Sequence, residues 1–63
     1  MKRRDLMKQI AKHAKANGLD VTTREGGSHT VVTVGENSTT VPRHNEINEM
    51  TAKAILKQIG ATK

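Results

Sequence analysis

Residues 28–41 read SHTVVTVGENSTTV, and this stretch decides the fold. Ser28 to Val34 is rich in Thr and Val, whose branching at Cβ suits a pleated, half-buried surface. Gly35-Glu36-Asn37-Ser38 is turn chemistry. Thr39-Thr40-Val41 then resumes the strand pattern until Pro42, which lacks an N–H and so ends the strand or leaves it at a sheet edge. A hairpin is therefore expected. Alternation along its first strand sets Thr30, Val32 and Val34 on one face and His29, Val31 and Thr33 on the other. If Val32 and Val34 meet the core, His29 looks out from the opposite face.

Working outward, Leu19, Val21 and Thr23 alternate with Asp20 and Thr22, which predicts a short half-buried strand over 19–23. Arg24-Glu25-Gly26-Gly27 breaks that pattern before the hairpin begins. Upstream, Arg3 to Asn17 has a helical period. At about 100° per residue, Leu6, Met7, Ile10 and Ala14 share one quadrant and Lys8, Lys12 and Lys15 gather opposite, with His13 among them. Asp5 suits the positive end of the helix dipole, and Asn17-Gly18 offers a left-handed stop.

Downstream, Asn48 is a good N-cap for a second helix, Glu49 favours its first turn, and Ile47 with Ala52 makes a hydrophobic staple. Thr51, Ala54, Ile55, Leu56 and Ile59 are expected to form its buried stripe, and Gly60 to close it. The order is α-β-β-β-α. This is an α+β fold with a three-stranded antiparallel sheet, both helices on one face and the other face open.

Length and composition narrow the function. The 63 residues make one domain, 1–63, close to the lower size at which a single core suffices. There is no cysteine, hence neither a disulfide framework nor a thiolate metal site, which fits a reducing cytoplasm. No apolar run approaches the roughly 18 residues of a membrane span and no signal peptide follows Lys2-Arg3-Arg4, so a soluble protein is expected. Eleven Lys and Arg against six acidic residues give a formal charge of +5, a field that attracts polyanions or an acidic protein.

Several chemistries are missing their residues. There is no GxxxxGK[ST] phosphate loop and no HExxH. Ser28 and His29 cannot pair as nucleophile and base, because neighbouring strand side chains point to opposite faces. One reaction suits a basic surface with a single histidine, metal-independent RNA cleavage; an ordinary exposed strand residue is the competing reading of His29. RNA carries its own nucleophile, the 2′-hydroxyl, so the protein needs a proton acceptor, a proton donor and positive charge at the phosphorus centre. A histidine titrates near neutrality. The glycines before His29 leave room for a backbone to approach a phosphate.

Met1-Lys2-Arg3-Arg4-Asp5-Leu6, Gly27-Ser28-His29, Thr40-Val41-Pro42-Arg43-His44 and Ala54-Ile55-Leu56-Lys57-Gln58-Ile59-Gly60 together resemble the HicA family of toxins, in order and over nearly the full chain. The resemblance implies a double-stranded-RNA-binding-domain-like fold, mRNA cleavage that halts translation without a cofactor, and neutralisation by a HicB-type antitoxin. It places the family's essential histidine at His29 and matches His44 to the histidine after the Val-Pro block, in phosphate binding or structural hydrogen bonding.

With that activity in view, Gly27 and Ser28 offer space for a phosphate. Arg24, Arg43 and Lys57 are candidate phosphate contacts, extended by Lys2, Arg3 and Arg4; ordinary solvated charge is the competing reading for each. The chain has no Phe, Tyr or Trp, so it cannot stack bases on side-chain rings. Recognition would rest on phosphates, 2′-hydroxyls and shape, with broad sequence tolerance. The aliphatic core is thin, so an antitoxin would add to working stability. Two other functions fit the same fold: a non-catalytic RNA-binding module, and an interaction domain whose basic face meets an acidic partner.

Overall fold

Leu6, Ile10 and Ala14 recur at helical spacing and are all buried, which fixes the first helix, α1 (Arg3–Ala16). The computed structural model describes residues 1–61. After α1 come β1 (Val21–Glu25), β2 (His29–Val34), β3 (Asn37–Pro42) and a second helix, α2 (Glu49–Gln58). The strands form one antiparallel sheet in the order β1-β2-β3. The α-β-β-β-α order and antiparallel sheet agree with the α+β, double-stranded-RNA-binding-domain-like expectation.

Both helices end in the same way. Gly18 and Gly60 take positive φ (65° and 81°), a conformation that a Cβ disfavours. Leu19 N–H then reaches back to the Ala14 carbonyl (2.8 Å) and Ala61 N–H to the Leu56 carbonyl (2.8 Å). These bonds satisfy carbonyls that the last helical turn leaves free. At the other end of α2, the Asn48 side chain accepts from Met50 N–H at 2.8 Å, and Ile47 and Ala52 are both buried in the core.

The core lies between one sheet face and the two helices. Val32 and Val34 of β2 and Val41 of β3 meet Leu6, Ile10 and Ala14 of α1, and Ala52, Ile55 and Leu56 of α2 with Ile59 just beyond it. The buried hydroxyls have partners: Thr30 is bonded to Arg3 and Glu25, and Thr39 donates to Gln58 Oε1. The chain start is strapped to the loop before α2. Lys2 and Glu46 form an isolated antiparallel bridge, with Arg3 N–H donating to Asn45 (2.8 Å) and Ile47 N–H to Met1 (2.7 Å).

Four details depart from the sequence expectations. The first strand is Val21–Glu25 rather than 19–23, and all of it is exposed. The helices cover β2 and β3 and leave β1 beyond their edge, so alternation in β1 does not correspond to burial. The hairpin turn is the two residues Gly35-Glu36, with Val34 paired to Asn37, so β3 starts earlier than Thr39. Gly35 has φ 59°, as a two-residue turn with glycine first requires. In α2, Thr51 and Ala54 are exposed and Ala52 is buried, because Ala52, Ile55, Leu56 and Ile59 form the i, i+3, i+4, i+7 stripe. His13, read with the lysine side of α1, is half-buried.

Candidate functional site

The turn Gly26-Gly27-Ser28 delivers the chain from β1 into β2, with Glu25 opposite Thr30 as the last rung of the ladder. Gly26 N–H donates to the His29 carbonyl at 2.9 Å, and a Cβ at Gly26 would lie only 3.1 Å from that oxygen. This is tighter than most side chains tolerate, so Gly26 suits the close approach. His29 is the first residue of β2 and pairs with Pro42 of β3.

Burial along β2 alternates, with Thr30, Val32 and Val34 inside and His29 exposed. His29 therefore points to the open face, away from both helices. Val31 and Thr33 share that face, opposite Arg24 and Thr22 on β1 and Thr40 and Ser38 on β3. Thr22, Arg24, Val31, Thr33 and Ser38 line a shallow depression there, in which the Thr33 and Ser38 hydroxyls are 3.1 Å apart. The face thus offers one guanidinium, several hydroxyls and an imidazole. These groups can hold phosphate oxygens and ribose hydroxyls and move a proton.

At the edge of the turn, Arg43 Nη2 donates to the Gly26 carbonyl at 2.7 Å and lies 2.7 Å from Glu25 Oε1. Its Nη1 reaches the Gly27 carbonyl at 3.4 Å. The Glu25 carboxylate also accepts from the Thr30 hydroxyl, 3.0 Å to either oxygen. Arg3 completes the chain from below, its Nη2 donating to Thr30 Oγ1 (2.9 Å) and its Nε to the Pro42 carbonyl (3.1 Å). Two arginines and one carboxylate thus bracket the segment that presents His29.

The other candidates are distributed unevenly. Gly27 and Ser28 form the turn itself, and Arg24 is on the open face beside it. His44 is exposed in the loop after β3, two residues past Pro42, the partner of His29. Arg4 is exposed at the start of α1, where Lys2, Arg3, Arg4 and Asn45 line a second depression. Lys2 is paired with Glu46. Hydrogen bonding to Glu46 raises the Lys2 pKa, and the same bond, with the nearby positive charge, lowers that of Glu46. Lys57 is exposed on α2, across the sheet from His29, in the helical layer that also carries Lys8, Lys12, Lys15 and Lys53.

Glu25 and Thr30 were not among the residues expected at this site. Gly26 closes on His29 around the two residues Gly27-Ser28, and that register sets Glu25 opposite Thr30. Arg43 is the ion-pair partner of the Glu25 carboxylate, while Arg3 bonds to Thr30 and to the Pro42 carbonyl.

Residues 7–61 match the family model described as the HicA toxin of bacterial toxin-antitoxin systems. Neither a curated protein nor a solved structure matches the chain significantly.

Proposed function

We propose, from the premise that this chain belongs to the HicA family of toxins of bacterial toxin–antitoxin systems, that it is an endoribonuclease acting on mRNA with His29 as its proton-transfer residue. The observation that carries the reading is the placement of His29: exposed, directly after Gly27-Ser28, on a sheet face that the helices leave open. In the reaction, a base removes the proton of a ribose 2′-hydroxyl and the 2′-oxygen attacks the adjacent phosphorus. The 5′-oxygen leaves with a proton from an acid, so a 2′,3′-cyclic phosphate and a 5′-hydroxyl end result. His29 serves one of these proton transfers. Arg24, on the same face, supports the negative charge that develops on the phosphate oxygens.

The substrate strand lies across the open face, held by Arg24 and the hydroxyls of Thr22, Thr33 and Ser38. No Phe, Tyr or Trp is available for base stacking, so cleavage is tolerant of sequence. A HicB-type antitoxin neutralises the toxin, and both act in the cytoplasm, where mRNA is translated. No helix among the described residues is long and apolar enough to cross a membrane.

The lysines on the helical layer favour a second reading, a module that binds RNA through its helices and leaves it intact. Purified protein incubated with RNA in EDTA separates the two. Fragments ending in 2′,3′-cyclic phosphate support the enzyme. A shifted but intact RNA supports the binding module, and intact RNA with no shift contradicts both.

A further inference from the structure

We infer that Glu25 and Arg43 form a latch that positions His29, so that Arg43 acts on the reaction through the turn rather than by holding a phosphate of the RNA. The latch rests on the reading of His29 given above. Gly26-Gly27-Ser28 is among the most conformationally free stretches a chain can carry, and His29 follows it at once. A proton-transfer residue in that place needs its backbone fixed from elsewhere, since a displacement of about 1 Å at a reacting group can cost on the order of 100-fold in rate.

The structure supplies the fixing contacts in one cluster. Arg43 spans the turn, with Nη2 on the Gly26 carbonyl and beside the Glu25 carboxylate, and Nη1 toward the Gly27 carbonyl. Glu25 holds Arg43 in that pose and is itself anchored by the buried Thr30 hydroxyl, the residue next to His29. On the opposite side, Gly26 N–H closes onto the His29 carbonyl. The planar guanidinium fork can meet a carboxylate and carbonyls together; the single ammonium point of a lysine cannot reproduce that pattern. With these acceptors occupied, the Arg43 guanidinium is committed to the turn.

Glu25→Gln separates this role from phosphate binding because the two predict opposite signs. The change removes one negative charge from a chain of formal charge +5 and loosens Arg43. Were Arg43 a phosphate contact, RNA binding would tighten and cleavage would be kept or rise. As a latch, its loss lowers kcat about 10-fold or more while KM stays the same or falls. In Arg43→Lys, kcat falls likewise. In Arg43→Gln, which removes the charge, the slope of log Kd against log salt for single-stranded RNA is unchanged, where loss of one phosphate contact would reduce it by about 0.7.

Amide exchange reads the fold of the turn directly, without RNA. In Arg43→Lys, the Gly26 amide should exchange at least about 10-fold faster than in the wild type, while amides of β2 and β3 away from the turn keep their protection. Melting curves of both variants confirm that the assays are run on folded protein. Tighter RNA binding with undiminished kcat in Glu25→Gln, or unchanged Gly26 exchange in Arg43→Lys, would overturn the latch. If the wild type itself leaves RNA intact, the ribonuclease reading fails, and Gly26 exchange still decides whether the latch exists.

Discussion

Arg3 on α1 donates to the hydroxyl of Thr30 on β2 across 2.9 Å, linking residues 27 positions apart in the chain. The same guanidinium donates to the carbonyl of Pro42 at the end of β3. A charge that the sequence offers as a phosphate contact is thus a structural tie between the first helix and two strands. Arg3→Ala should lower stability by roughly 2 kcal/mol, the scale of hydrogen bonds from a charged donor. In a domain this small, that is a melting temperature lower by about 10 °C. Thermal denaturation checks it, and an unchanged midpoint would mean that the tie contributes nothing.

Ile10 is fully buried between α1, the sheet and α2. Truncation to alanine should cost about 2–5 kcal/mol. At typical stabilities of about 0.05–0.15 kcal/mol per residue, that loss approaches the whole stability of the domain. Met50, by contrast, is 81% exposed, and Met50→Ala should stay within about 0.5 kcal/mol of the wild type. Denaturant titration of the two variants distinguishes them, and equal midpoints would contradict the assignment of the core.

The Lys2–Glu46 pair makes a pH prediction with a definite sign. The Glu46 pKa is lowered in the folded chain, so its contribution is present above the ordinary carboxylate pKa and is lost as pH falls through the folded value. The Lys2 pKa is raised, so its contribution is full below the ordinary lysine pKa and is lost as pH rises through the folded value. Both groups are exposed, so the effect is small and screened by salt. Glu46→Gln should lower the melting temperature slightly at neutral pH and low salt, and match the wild type in acid below the Glu46 titration. A difference that persists in acid would point to packing rather than charge.

Much of this fold was legible because local signals and tertiary packing agree. The stripe of Leu6, Ile10 and Ala14, the stops at Gly18 and Gly60, and the outward face of His29 all follow from periodicity and backbone freedom. The position of β1 did not follow, because burial, the basis of strand periodicity, is absent from a strand that the helices leave uncovered. Arg24 and Glu25 read as the start of a turn, yet cross-strand pairing with Val31 and Thr30 keeps them in the ladder. Thr51 and Ala54 were placed in the buried stripe by composition, where the angular spacing from Ile55 and Ile59 selects Ala52. At the site, the sequence separates Arg3, Glu25, Thr30 and Arg43, and only the folded hairpin and the N-terminal helix bring them together.

Induced expression of the wild type beside His29→Ala tests the proposed cleavage of RNA through His29. Growth and the integrity of cellular mRNA are scored together, with circular dichroism of both purified proteins as the control for folding. Growth arrest with fragmented mRNA is expected for the wild type, and normal growth with intact mRNA for a folded His29→Ala. Fragmented mRNA in cells expressing His29→Ala would contradict the proposal.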